Sequence, residues 1–186
     1  MRRFITMLTL ITLLGFHSMS FAQTAPAPSS IGWDVEVDPL AYALKGHSLH
    51  VGLWWQQWRV DLGSFALTAP TWSHGQDGFT QSFTGFGTKV DRFFGGTRDG
   101  FFVGAEAGLA YTTVRLDETG QSDTMPVLNV GGRAGYRWSI TERFYATPWL
   151  GVGYAFGARD STWGEARFSP QRVTVFPTLH VGYRIQ

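Results

Sequence analysis

Ionisable side chains recur at every second position in several segments of this sequence, and that spacing decides what chemistry they can do. Asp34, Glu36 and Asp38 form one such run, Arg59 and Asp61 the next, then Lys89 with Asp91, Glu106, Arg133 with Arg137, and finally His180 with Arg184. Alternate residues of an extended chain share one face, so these charges are expected to project from the same side of their strands. Charges gathered out of water pair with one another, because an unpaired one is expensive. A salt-bridged network is therefore the expected chemistry, with Arg133 and Glu106 paired across neighbouring strands. A gated ion path through the same groups is the alternative.

Serine, histidine and aspartate also fall together at His47–Ser48, Ser73–His74, Asp77 and Asp160–Ser161. Nucleophilic catalysis needs a base within hydrogen-bond reach of a hydroxyl and a third group to orient that base. These residue types are equally common in turns, and no spacing here matches an enzyme that edits lipid A, so no catalytic residue is expected. The five histidines are scattered without metal-ligand spacing. Gly131–Gly132 and Gly151–Gly153 lie inside strand-like runs with no helix after them, which makes them packing positions, not phosphate cradles. No cofactor and no metal are implied. A net charge of +1 and the lack of a basic stripe exclude a nucleic-acid partner, and a chain without cysteine has no disulfide or thiol chemistry.

The elements that must position these groups are strands. Period-two alternation is clearest at Val127 to Trp138, where Leu128, Val130, Ala134, Tyr136 and Trp138 oppose Asn129, Gly131, Arg133, Gly135 and Arg137. It recurs at Phe144 to Phe156, at Val173 to Ile185, at Val103 to Tyr111, at Trp58 to Leu62, at Leu49 to Trp55 and at Trp33 to Val37. Phe79 to Phe93 makes a softer apolar face, which brings the count to eight strands. The first strand changes phase near Pro39, as a β-bulge would make it do. Connections near Gln56–Gln57, Gly95–Gly100 and Ser139–Arg143 are short. Those at Thr68–Gly78, Asp117–Met125 and Arg159–Gln171 are longer and more polar, and Lys45–His47 is brief.

Arg2 and Arg3, the apolar run Phe4 to Phe16, and the small residues Ser20 and Ala22 make residues 1–22 a cleavable export signal. Residues 23–31 read as a flexible leader, leaving 32–186 as one β-domain. Alternation alone does not say which face points out. Aromatic residues gather at one set of strand ends, among them Trp33, Trp55, Trp58, Phe94, Phe101, Trp138, Phe144 and Tyr183. Amphipathic rings settle at the headgroup level of a membrane. The opposite face mixes charges with glycine, as suits the narrow interior of an eight-stranded barrel. The expectation is an all-β, closed, eight-stranded antiparallel up-and-down transmembrane barrel, with its apolar face to lipid and an interior too narrow for a pore.

The export signal, the Gly-rich alternating strands and the final segment HVGYRI, His180 to Ile185, resemble the eight-stranded outer-membrane β-barrel superfamily (OmpA/OmpX/OmpW-like). The resemblance spans nearly all of residues 32–186 and rests on pattern. It implies residence in the outer membrane of a Gram-negative cell, contact with lipid and lipopolysaccharide, and assembly by the insertion machinery. That machinery reads a terminal aromatic in such proteins, whereas this chain ends in Gln186. Functional variety in this class lies in the external loops, so a structural or surface-interaction role is expected. Trp72, Phe79, Trp163 and Phe168, near Asp77, Arg159 and Asp160, are the expected contact residues. Two alternatives stand beside it: an enzyme that edits lipid A acyl groups at the outer rim, and a soluble periplasmic lipocalin-like carrier with its apolar face turned inward.

Overall fold

A computed structural model describes residues 31–95 and 98–185. The export signal and nearly all of the leader lie outside these residues. Eight antiparallel strands close into a ring in sequence order: β1 (Gly32–Val37), β2 (His47–Trp55), β3 (Trp58–Ala69), β4 (Phe79–Phe93), β5 (Gly100–Leu116), β6 (Ser122–Ser139), β7 (Phe144–Phe156) and, last, β10 (Val173–Arg184), which pairs back onto β1. Two further strands, β8 (Ser161–Trp163) and β9 (Ala166–Phe168), form a separate hairpin between β7 and β10. The expected up-and-down ring is thus the observed fold. Closure of β10 onto β1 over Val181–Arg184 completes the ring and removes the edge strand that an open sheet would leave there.

Two connections differ from the sequence reading. Pro39 is not in a β-bulge: β1 stops at Val37, and Pro39 opens the short helix α1 (Pro39–Ala43). Asp38 caps that helix, its Oδ1 accepting a 2.8 Å bond from Leu40 N–H, and proline is well suited to the first helical position. The helix therefore breaks the alternation, not an extra strand residue. On the same side, β5 and β6 extend to Leu116 and Ser122, so their connection is five residues long and Ser122–Met125 are strand. Thr113 and Thr124 face each other across this extension, their hydroxyls 2.9 Å apart. These polar residues lie beyond the apolar part of the hairpin, where the alternation that marks a strand has no contrast. A second short helix, α2 (Thr71–His74), sits in the β3–β4 connection.

The two faces of the ring differ sharply. Leu62, Phe86, Leu109, Leu128, Val152 and Val175 point outward and are exposed. Asp34, Glu36, Arg59, Asp61, Asp91, Arg133 and Arg137 point inward and are buried. Among the described residues, the outward positions of the ring carry only two residues of the Asp, Glu, Lys and Arg types, Arg92 and Arg115, each one residue from a strand end. The expected interface aromatics Trp33, Trp55, Trp58, Trp138 and Phe144 are exposed and Tyr183 is half-buried, all at the end where the chain enters and leaves the ring. Phe144 and Tyr183 meet edge to face, with ring centroids 5.0 Å apart. Trp54, next to Trp55 in sequence, points the other way and is buried inside the ring with Phe93 and Phe102.

Candidate functional site

Strand register arranges the interior as rows. One row runs Asp34, Gly52, Asp61, Lys89, Glu106, Gly131, Gly153; the row toward the entry end runs Trp54, Arg59, Asp91, Gly104, Arg133, Gly151. An eight-stranded barrel has room for only some large side chains at each level, and glycine supplies the gaps. At Gly104, for example, a β-carbon would collide with the Asp91 carboxylate.

Arg59 is the hub of this network. Its Nη2 lies 2.7 Å from Asp34 Oδ1 and 3.2 Å from Glu36 Oε2, and its Nη1 lies 3.0 Å from Asp61 Oδ2. Arg137 reaches Asp34 Oδ2 at 3.3 Å and also pairs with Glu36, while its guanidinium lies 3.9 Å from the Tyr145 ring centroid. Lys89 Nζ donates to Asp61 Oδ1 at 3.1 Å and lies 2.9 Å from His50 Nδ1. His180 Nδ1 lies 3.0 Å from Glu36 Oε2. Four carboxylates (Asp34, Glu36, Asp61, Asp91) are thus matched by four cations (Arg59, Lys89, Arg133, Arg137). The network crosses the lumen at the level of these two rows.

Three members sit otherwise than expected. Arg133 pairs with Asp91, Nε to Oδ1 3.2 Å, and not with Glu106. Register explains it, because Asp91 and Arg133 flank Gly104 in one row while Glu106 is one row further out. Glu106 makes no ion pair within 4 Å among the described residues. Arg184 lies at the entry-side rim, where it pairs with Asp99 and its Nη1 donates to Ser139 Oγ at 2.8 Å. It belongs to the turns there and not to the central network.

Above the charged rows lies a cavity of about 250 Å³. Phe65, Leu67, Phe83 and Phe176 form much of its wall, and Asp38, Ser48, His50, Lys89, Glu106, Asn129, Trp149 and His180 also line it. Sequence reasoning passed over the apolar group, although the signal was present. Phe65 and Leu67 share the parity of Arg59 and Asp61, and Phe176 shares that of His180. Beside this cavity the wall is incomplete. β10 pairs with β1 only from Val181 to Arg184, so Val173–His180 has a strand partner on the β7 side alone. Helix α1 packs against β10, β2 and β3 here, with Ala41 buried and Tyr42 Oη donating to Ser48 O at 3.0 Å.

The far end of the ring is organised by a second apolar cluster, built from Phe79, Val114, Leu116, Met125, Val127, Ala155, Ala158 and Phe168. The β8–β9 hairpin folds onto it. Gln76 fastens the β3–β4 connection to that hairpin by two reciprocal 2.8 Å bonds with the Ser169 backbone. Phe79 and Phe168 are therefore core residues and not contact residues. Trp163 is half-buried against Phe79, with centroids 6.0 Å apart. Arg159 holds Asp123 through two bonds of 2.7 and 2.9 Å. Asp77 is exposed, and Trp72 is 83% exposed.

The Ser/His/Asp residues do not converge. Ser161 Oγ donates to Asp123 Oδ2 at 2.8 Å and Ser73 Oγ to Pro70 O at 2.7 Å. His47 Nε2 lies 3.3 Å from Ser64 Oγ, on the outer surface of the wall. His74 packs edge-on against Phe168, and burial lowers its pKa while Asp77 and Asp117 act in the opposite direction. Asp160 pairs with Arg167, whose hydrogen bond holds the carboxyl below its usual range.

No protein-family profile matches this sequence, and no curated protein matches it. Among solved structures, the chain is similar to Neisserial surface protein A. Identity is 15% and the TM-score 0.47, over 83% of this chain and 94% of that one.

Proposed function

We propose that this chain is an integral outer-membrane β-barrel with a structural or surface-interaction role, its lumen closed by the charge network and its external connections turned to the cell exterior. The carrying observation is the outer surface of the ring. Large apolar side chains cover it all round, and its two charged residues sit at strand ends. Exposed apolar area of that extent marks a surface covered by something apolar, and a band bounded by aromatic residues fits a bilayer. A lipocalin-like carrier would have this face turned inward. The side with the longer connections then faces outward, and both ends of the ring's chain face the periplasm. Insertion machinery would deliver it there.

The test is fractionation of expressing cells, then gel electrophoresis of the detergent-extracted protein with and without boiling. Recovery in the outer membrane with a heat-dependent mobility shift is the expected result. Recovery as a detergent-free periplasmic protein would refute the reading.

Surface interaction rests on Trp72. An indole that stands 83% exposed in the same β3–β4 connection as the exposed Asp77 suits amphipathic contact, and lipopolysaccharide is the partner the location supplies. Trp72→Ala is expected to weaken binding of purified lipopolysaccharide by about 3-fold or more, at the scale of one exposed aromatic contact. Unchanged binding would remove the loops from this role. The reading is non-enzymatic. Its support is that Ser161 and Ser73 each donate to an acceptor other than histidine.

A further inference from the structure

The cavity above the charge network is lined in part by groups that the network does not use. Glu106 has no cation within 4 Å among the described residues, and Asp38 spends its carboxylate on the α1 cap and on a 2.6 Å bond from Thr178 Oγ1. Lys89, the lysine of the lining, is already matched by Asp61 at 3.1 Å. The lining itself thus holds two carboxylates, Asp38 and Glu106, against one lysine, with Arg133 close by and stacked 4.1 Å over the Trp149 ring. It also holds polar atoms with no hydrogen-bond partner: Ser48 Oγ on a residue 2% exposed, and Trp149 Nε1 on one 7% exposed. Buried polar atoms without partners are uncommon, and each asks for an explanation.

We propose that this cavity binds a lipophilic organic cation, an alkyl or aryl ammonium, with its charge on Glu106 and its apolar part against Phe65, Phe83 and Phe176. The carboxylate and the aromatic surface are adjacent. Glu106 Oε1 and the edge of the Trp149 ring come within 2.9 and 3.0 Å of the same point over Gly151, where a β-carbon would stand. A carboxylate beside aromatic rings recognises an ammonium by ion pairing and by cation–π attraction together. A fatty-acid carboxylate has the same apolar requirement and the wrong charge. The strand wall is interrupted where β1 ends at Val37, and α1 screens the gap between β10 and β2. An amphiphile leaving the bilayer would meet the cavity there, which rests this inference on the membrane reading above.

The test uses the full barrel in lipid nanodiscs, with empty nanodiscs as the blank, titrated calorimetrically with octylammonium, octanoate and octyl glucoside below their aggregation concentrations. Octylammonium is expected to bind in excess of the blank, and octanoate is not. Glu106→Gln keeps the shape and removes the charge, and should weaken octylammonium by about 10-fold or more, as loss of a charged hydrogen bond does. Ala110→Phe fills the cavity with every charge in place and should abolish binding, which keeps the test decisive if the glutamine variant folds poorly. Each variant is first checked for the heat-dependent mobility shift. Equal binding of octanoate, no binding beyond the blank, or full affinity in both variants would overturn the proposal. A protein found soluble in the periplasm would instead fail the membrane reading before any titration.

Discussion

Replacing Arg59 by methionine is expected to lower the unfolding free energy by about 3–5 kcal/mol, the cost of breaking a buried ionic cluster by removing one partner. Arg59 is fully buried, and its two terminal nitrogens serve Asp34, Glu36 and Asp61. Methionine fills similar space but leaves three buried carboxylates short of a cation. Arg137 can still hold Asp34 and Glu36, and Lys89 can hold Asp61, so collapse is not total. Lysine should fail nearly as badly, because one compact ammonium cannot span positions that a planar guanidinium bridges. The measurement is urea unfolding of the protein refolded into vesicles, followed by tryptophan fluorescence. A second variant isolates the cause: adding Asp34→Asn to Arg59→Met should recover much of the loss, since the two residues couple directly. A single substitution costing less than about 1 kcal/mol would mean that the cluster fills space without holding the ring shut.

What made this network legible in sequence was parity, and what hid parts of it was register. Asp34 and Glu36, Arg59 and Asp61, and Lys89 and Asp91 stand two apart, so each pair declares its shared face directly. The partner of Arg133 is set by which residues stand level across three strands. Alternation carries no information about that, so the nearest carboxylate in sequence reasoning was Glu106 and the real one Asp91. The outer half was harder for a different reason. There the interior turns apolar at Phe65, Leu67, Phe83 and Val114, so both faces of a strand become hydrophobic and the contrast that reveals alternation fades. Helix α1 was hidden because five residues are too few for a helical period. Its signature was local: Asp38 before Pro39 is a cap followed by a first-turn proline. Phe168 looked like a loop aromatic because only tertiary packing of the β8–β9 hairpin carries it into the core.

Leu62→Arg should have an effect of comparable size, and it discriminates between two solvents for the same surface. Leu62 is 66% exposed, yet it sits mid-strand in an outward row with Val35, Val51, Thr88, Ala107 and Val130, none of them charged. If water covered that surface, an arginine there would change stability by no more than about 0.5 kcal/mol, as exposed substitutions usually do. If lipid covers it, an arginine near the middle of the apolar band is expected to cost about 2–4 kcal/mol. Arg92→Leu is the matching control. That residue lies one position from the end of β4, where its guanidinium stands 5.5 Å from the Trp58 ring centroid at the aromatic girdle. Its removal should cost far less, because a cation at the interface is already solvated. Urea titrations of both variants in the same vesicles read the contrast, and the accumulation of each in the outer membrane of expressing cells reads it independently. A large penalty at Leu62 with a small one at Arg92 is what a bilayer imposes, since the penalty follows depth and not exposure. Equal, small effects at both positions would mean that the apolar surface meets water or another protein, and the membrane assignment would have to be given up.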